Sequence, residues 1–188
     1  MEVYTTEEQQ VEVIKSWWKE NGTSVLAGTV IGLVGLFGWR YYNELQQTNQ
    51  EAASQAYNAM TAQLAKGDDA ALEQAKSFIS AHQGDAYAEL AALQLAAAAV
   101  KAGKLDLAAE QLTQVAANGD ESIKPIAALR LARVLKDQGK ADEALAQLGK
   151  INNDAFKAQV AEVRGDVLLG QGKPEEARDA YQVAADAG

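Results

Sequence analysis

Residues 163–181 read VRGDVLLGQGKPEEARDAY, and this stretch contains the pattern that decides the fold. Within it, a small residue, Gly165, lies seven positions before Gly172, and Ala177 lies five positions after Gly172. An aromatic residue, Tyr181, follows four positions after Ala177. The same framework occurs around Gly103 and Gly139, so the three glycines recur at intervals of 36 and 33 residues. The small, alanine and larger positions are Ala96, Ala108 and Leu112, then Ala132, Ala144 and Leu148, then Gly165, Ala177 and Tyr181.

This spacing predicts three helical hairpins. Glycine readily adopts the left-handed conformation that ends many helices, so each repeated glycine predicts the end of a first helix. The small residues would let the two helices of a hairpin cross closely, and the larger ones would fill the gap against the next hairpin. Pro125 and Pro174 stand where helices should begin, because the first helical turn tolerates a missing N–H. Since no single hairpin buries its apolar face, the three should stack into a solenoid.

A second stretch, Asn21–Trp39 (NGTSVLAGTVIGLVGLFGW), contains no charged residue and predicts a transmembrane helix, to which we assign residues 21–42. As a helix, its 19 positions would be about 28 Å long, close to the thickness of the hydrocarbon core. A buried core helix or a signal peptide would be the alternatives. The run has no strongly polar face and no small-x-small cleavage site, which favours an uncleaved signal anchor. Aromatic residues of the kind found at membrane interfaces flank it: Trp17, Trp18, Trp39, Tyr41 and Tyr42.

Three glycines of the span share one side of the predicted helix. Gly28, Gly32 and Gly35 are spaced at i, i+4 and i+7. Small residues at this spacing let a second transmembrane helix approach closely, and van der Waals packing then replaces the hydrophobic driving force that lipid does not provide. The pattern predicts a helix-packing face in the membrane.

The tail before the span, residues 1–20, predicts a short amphipathic helix, because apolar residues recur at helical spacing after Glu7. This helix would be an interfacial anchor or, alternatively, a docking surface for a cytoplasmic partner. Lys15 and Lys19 precede the span, whereas Arg40 follows it and no further basic residue occurs before Lys66. The positive-inside rule therefore predicts a cytoplasmic amino terminus, with residues 43–188 on the far side.

Composition excludes several classes of function. The 188 residues include 17 basic and 26 acidic side chains, a net charge of −9, which disfavours nucleic-acid binding. There are no cysteines, so disulfides, thiolate nucleophiles and cysteine-bound zinc are excluded. The single histidine, His82, falls at a predicted helix end, where it complements the helix dipole. We find no catalytic or metal-binding constellation and expect neither enzymatic activity nor a cofactor.

The repeat framework resembles that of tetratricopeptide repeats over about Glu89–Ala187. The resemblance predicts an all-α fold: a single N-terminal transmembrane helix followed by a tetratricopeptide-like helical-hairpin solenoid. Predicted helices Glu44–Lys66 and Ala70–His82 resemble a degenerate fourth, capping unit. The chain departs from the family where an aromatic residue is usual at the fourth position of each repeat. Alanines stand there instead, at Ala92, Ala128 and Ala161, and Asp120 replaces the proline expected between the first units.

Over its whole length the chain is similar to the YfgM family, most specifically in residues 38–42, 129–134 and 164–180. The resemblance implies an ancillary subunit of the Sec translocon (SecYEG) in the inner membrane, with a periplasmic repeat domain. It also implies contact with a membrane-anchored periplasmic peptidyl-prolyl isomerase of the PpiD type, with secreted client chains and with periplasmic chaperones. Members usually continue beyond the last repeat, which implies that a closing helix is missing after Gly188 and that the end frays.

In tetratricopeptide arrays the first helix of each unit lines a concave face that binds peptides, and counting back from the glycines locates that face here. Its apolar to mixed-charge character would suit an extended or helical peptide. Alternatively, Leu93 and Leu129 pack between units, and the same leucines could do both. The predicted face comprises Leu90, Leu93, Ala97 and Val100, then Ile126, Leu129, Arg133 and Lys136, then Gln159, Glu162, Asp166 and Leu169.

Two other functions remain open from the sequence. The chain could be an inner-membrane scaffold or signalling adaptor for a different complex, which the repeat pattern alone does not distinguish from a translocon subunit. It could also be an enzyme with a dispersed pair of carboxylates, which would require two buried acids in one pocket.

Overall fold

A computed structural model describes residues 7–188, with side chains from Gln10 onward. Within these residues all regular structure is helical: eight α-helices and a 3₁₀ turn at Asp154–Phe156. The predicted tail residues 1–6 lie outside the described part. The α-helices are α1 (Glu7–Leu64), α2 (Asp69–Ala81), α3 (Ala86–Lys101), α4 (Leu105–Asn118), α5 (Lys124–Asp137), α6 (Ala141–Leu148), α7 (Lys157–Gly170) and α8 (Pro174–Ala187).

The chain divides into two compact units, one ending at Ala52 and the other comprising Ala53–Gly188, and each is described by itself. In the first unit, α1 begins at Glu7, so the predicted amphipathic segment and the predicted span are continuous helix. Among the described residues, one helix, Gln10–Leu64, is long and apolar enough to cross a membrane, and only 6% of its most apolar stretch is buried. A core helix of a soluble protein would be mostly buried.

The second unit contains the three predicted hairpins, α3–α4, α5–α6 and α7–α8. Gly103, Gly139 and Gly172 have φ angles of 72°, 77° and 76°, the left-handed conformation predicted from the sequence. At the first of them, Lys104 N–H donates to the Ala99 carbonyl (2.8 Å) and Gly103 N–H donates to the Val100 carbonyl (3.0 Å). This hydrogen-bond pair is the Schellman motif, which satisfies carbonyls at the helix end. The predicted helix ends are therefore confirmed.

The repeated small residues lie where the helices of each hairpin meet. Ala108, Ala132 and Ala144 are completely buried, and Leu112 and Leu148 lie beside them in one continuous core. In the third hairpin, Gly165 takes the small position, and the ring of Tyr181 packs directly on it. The prediction that small residues permit close helix crossing is confirmed, with glycine where the opposing side chain is largest.

A further hairpin-like cluster precedes the three repeats. Met60 and Leu64, near the end of α1, share a core with Leu72 and Phe78 of α2 and Leu95 of α3. This packing is what the predicted capping unit requires. The helix α2 starts where the Asp68 carboxylate accepts the Ala71 N–H (2.8 Å), an N-cap that stabilises the first turn.

Candidate interaction surfaces

Polar side chains join successive hairpins at equivalent positions. Gln138 Nε2 donates to Asp106 Oδ1 (2.8 Å), and Gln171 Nε2 donates to Asp142 Oδ1 (3.0 Å). Each glutamine immediately precedes a repeated glycine, and each aspartate follows the previous repeated glycine by three residues. We call these hydrogen bonds between hairpins the joints. They were not predicted from the sequence, although the recurring glutamine–glycine pair is visible there.

The structure divides the predicted concave residues into two groups. Leu93 and Leu129 are buried in the central core, so they pack between helices, which is the alternative role considered from the sequence. The other ten residues retain solvent exposure in this unit. The exposed members of this predicted face are Leu90, Ala97, Val100, Arg133, Gln159, Glu162 and Leu169, and the half-buried members are Ile126, Lys136 and Asp166.

Two of the charged residues on this predicted face already have partners. Tyr181 O–H donates to Asp166 Oδ1 (2.8 Å), and this hydrogen bond, together with burial, raises the pKa of the Tyr181 phenol. Lys136 Nζ lies 3.6 Å from the Asp137 carboxylate. Arg133 is exposed and makes no ion pair within the described part of the chain. Arg133 is therefore the cation of this face best placed to bind a partner.

In the first unit, the predicted helix-packing face is open. A Cβ atom built on Gly28, Gly32 or Gly35 would meet no other atom within 4 Å, so each backbone is accessible to a neighbouring helix. The aromatic residues predicted at the membrane interfaces are all exposed, as are the large apolar side chains between them. This surface is apolar all round, which is what contact with lipid requires.

The ionisable side chains of the described residues were compared for possible metal-binding groups. Within residues 10–188, no group of three or more His, Asp or Glu side chains could hold a metal ion. The His82 Nδ1 lies 2.9 Å from the Phe78 carbonyl, and its ring stacks on the Phe78 ring at 4.1 Å. These two contacts with Phe78 give His82 a structural role at the end of α2.

The stacked hairpins with left-handed glycines and buried alanines define a protein of the tetratricopeptide class. A model of the tetratricopeptide repeat-like domain family matches residues 15–188, and the chain belongs to that family.

Three curated relatives are similar to the chain over nearly its full length, and each is named an ancillary SecYEG translocon subunit. The Escherichia coli K12 relative is 39% identical over 97% of this chain and 88% of its own length. The Haemophilus influenzae relative is 31% identical over 97% of this chain and 90% of its own length. The Aggregatibacter actinomycetemcomitans relative is 34% identical over 96% of this chain and 89% of its own length.

Proposed function

We propose that the chain is an ancillary subunit of the Sec translocon that tethers a tetratricopeptide-like interaction domain near the translocon exit. The observation that carries this proposal is the similarity to three ancillary SecYEG subunits over at least 96% of the chain. That similarity extends over the apolar helix as well as the repeats, which supports an anchor and an interaction domain in the same chain.

The proposed topology is a single inner-membrane span with a cytoplasmic amino terminus and a periplasmic repeat domain. Residues 1–20 would form the cytoplasmic tail, 21–42 the span and 43–188 the periplasmic part. Exposed apolar side chains throughout the span support lipid contact, and Lys15 and Lys19 support the orientation. The open backbone at Gly28, Gly32 and Gly35 would then pack against a transmembrane helix of the translocon.

The repeat domain would link secreted chains to periplasmic chaperones and to a membrane-anchored isomerase of the PpiD type. Anchoring matters because it keeps a weak binder at a high effective concentration beside the exit site. The exposed first-helix residues Leu90, Val100 and Leu169 would supply apolar contacts, and Arg133 a charged one. This role requires binding rather than catalysis, and we propose neither a reaction nor a cofactor.

The span contact can be tested with cysteine crosslinking, because the chain has no native cysteine and any introduced thiol is unique. Gly35→Cys places a thiol on the glycine face, and Phe37→Cys places one on the opposite side of the helix, about 180° from Gly28. In membranes, a thiol-to-amine crosslinker should join the Gly35 variant, but not the Phe37 variant, to a translocon component. Failure to co-purify any translocon component with the intact chain would instead favour an adaptor of another complex.

The predicted concave face has a separate test. Charge reversal by Arg133→Glu and Lys136→Glu should weaken partner capture, because it converts the attraction to repulsion at partly exposed positions. Thermal unfolding should be nearly unchanged, since neither side chain contributes to the buried core. Unchanged capture, or loss of folding, would count against the concave face.

A further inference from the structure

Three clefts on the repeat domain lie at equivalent places, near the start of each hairpin's first helix. Each is lined by the alanine four positions before the repeated small residue: Ala92, Ala128 and Ala161. Because an alanine side chain ends at Cβ, it leaves the space above it open. The volumes are about 320, 650 and 480 Å³ for the first, second and third cleft.

The second and third clefts are neighbours, since both are lined by Ile151, Asn152 and Asn153. We call these two together the double cleft. Two of its lining residues, Ala128 and Leu131, are buried and form an apolar floor. An apolar side chain of a partner would lose contact with water there, which favours binding.

The double cleft carries an excess of positive charge. Its ionisable lining residues are Lys124, Lys150, Lys157 and Arg164 against Glu121 and Asp154. Lys124 is paired with Glu121 (2.7 Å), whereas Lys150, Lys157 and Arg164 make no ion pair within residues 10–188. The whole chain has a net charge of −9, so this local excess runs against the overall balance. It would attract an acidic partner.

The first cleft lacks this property although it has the same place in the repeat. Its one ionisable lining residue is Glu89, whose carboxylate accepts the Asp120 N–H (3.0 Å). The two kinds of cleft therefore share an alanine at the same repeat position and differ in charge. The first cleft is a natural control for the double cleft.

The double cleft is also distinct from the predicted concave face. Ala128 and Arg133 are five residues apart on α5, so their side chains point about 140° apart around the helix axis. None of the α5 residues that line the double cleft belongs to the predicted concave set. A partner in the double cleft would leave the concave face accessible.

We propose that the double cleft is a docking site for an acidic segment of a partner protein, with an apolar side chain inserted above Ala128. The three cations that make no ion pair within residues 10–188 would bind carboxylates on either side of that side chain, and the buried floor would accept it. A membrane surface matches the positive charge less completely, since a plane of lipid headgroups would not fill a cleft of about 650 Å³. The proposal does not depend on association with the translocon.

The test uses the full chain held in nanodiscs of zwitterionic lipid. The probe is a short fluorescent peptide with one leucine flanked by glutamates, and its counterpart carries lysines instead. By fluorescence anisotropy, the glutamate peptide should bind and weaken with added salt, and the lysine peptide should not bind. Absence of binding by the glutamate peptide, or equal binding of both peptides, would overturn the proposal.

Matched variants locate the site. Lys150→Glu with Lys157→Glu should weaken binding of the glutamate peptide by about tenfold or more. Arg130→Glu with Arg178→Glu makes the same change of charge at exposed positions outside the clefts and should change affinity by less than about twofold. Equal losses in the two pairs would mean that overall charge, rather than the double cleft, determines binding.

A steric pair tests insertion independently of charge. Ala128→Trp should fill the second cleft and abolish binding, whereas Ala92→Trp should fill the first cleft and leave binding intact. Thermal unfolding of each variant reports whether the fold is kept. If either tryptophan variant fails to fold, the Lys150→Glu and Lys157→Glu variants decide whether the double cleft binds the peptide.

Vesicles of phosphatidylcholine and phosphatidylglycerol test binding to a membrane surface instead. Vesicle binding that is lost with Lys150→Glu and Lys157→Glu, without peptide binding, would assign the surface to lipid and overturn the proposal.

Discussion

Replacing Gly165 with alanine should destabilise the repeat domain, although the same change in an open helix position is usually favourable. A Cβ atom at Gly165 would lie 2.5 Å from Tyr181 Cε1 and 2.6 Å from Cδ1, so the ring would have to move. Overpacking of this kind costs about 1–3 kcal/mol. Movement of the ring would also weaken the Tyr181–Asp166 hydrogen bond, a loss of about 1 kcal/mol. The higher helix propensity of alanine offsets about 1 kcal/mol of this cost, so the free energy of unfolding should fall by about 1–3 kcal/mol.

Urea unfolding of the full chain in mild detergent, followed by far-UV circular dichroism, measures this loss. Gly170→Ala is the matched control, because Gly170 lies in the same helix and its added Cβ would meet no atom within 4 Å. The control should be neutral or slightly stabilising. In a Tyr181→Ala background, the penalty of Gly165→Ala should disappear, since the colliding ring is gone. A Gly165→Ala variant as stable as the parent chain would refute the close-packing interpretation.

Three further predictions concern the joints, loops and turns of the repeats. In a double-mutant cycle, Gln138→Ala and Asp106→Ala should show a coupling of about 0.5–1.5 kcal/mol, because both remove the same hydrogen bond between hairpins. Hydrogen bonds from Ser122 lower the pKa of Asp120, so the stability that they contribute is lost as pH falls through the folded-state pKa. An NMR titration should show a higher Asp120 pKa in Ser122→Ala, and no change would contradict this cause. Gly139→Ala should lower the urea midpoint by an amount equivalent to about 1 kcal/mol, because φ is 77° there.

The repeated architecture could be predicted because its signals are local. A left-handed helix end favours glycine through backbone sterics alone, so Gly103, Gly139 and Gly172 identify the turns without knowledge of the rest of the fold. The signal that predicts the span is equally local, since an uncharged apolar run of sufficient length is visible in the sequence. The burial of Leu93 and Leu129 could not be decided in this way. Both positions face the neighbouring hairpins, and their exposure depends on how closely those hairpins approach.

The joints between hairpins required the three-dimensional register. Gln138 and Asp106 are 32 residues apart, and their hydrogen bond forms only if successive hairpins stack with the correct offset. The first junction uses different residues for the same connection, with Lys104 Nζ binding the Asp69 carboxylate. A sequence pattern that searches for one residue type at each position therefore finds two of the joints and misses the third. All three have a donor beside the turn of one hairpin and an acceptor at the start of the second helix of the previous unit.

The clefts show why a repeat pattern predicts a fold more readily than a binding site. Ala128 and Ala132 are both buried alanines on α5, yet Ala132 lies between packed helices whereas Ala128 forms the floor of an open cleft. Both positions are occupied by alanine, but a larger side chain would have different effects at the two. At position 132 it would collide with the packed helices, whereas at position 128 it would fill the cleft. What separates the double cleft from the first cleft is charge contributed by loops and neighbouring helices, including Lys150 and Lys157. Packing of the solenoid involves the buried alanines but not the exposed Lys150 and Lys157, so these cations bear more directly on the proposed docking.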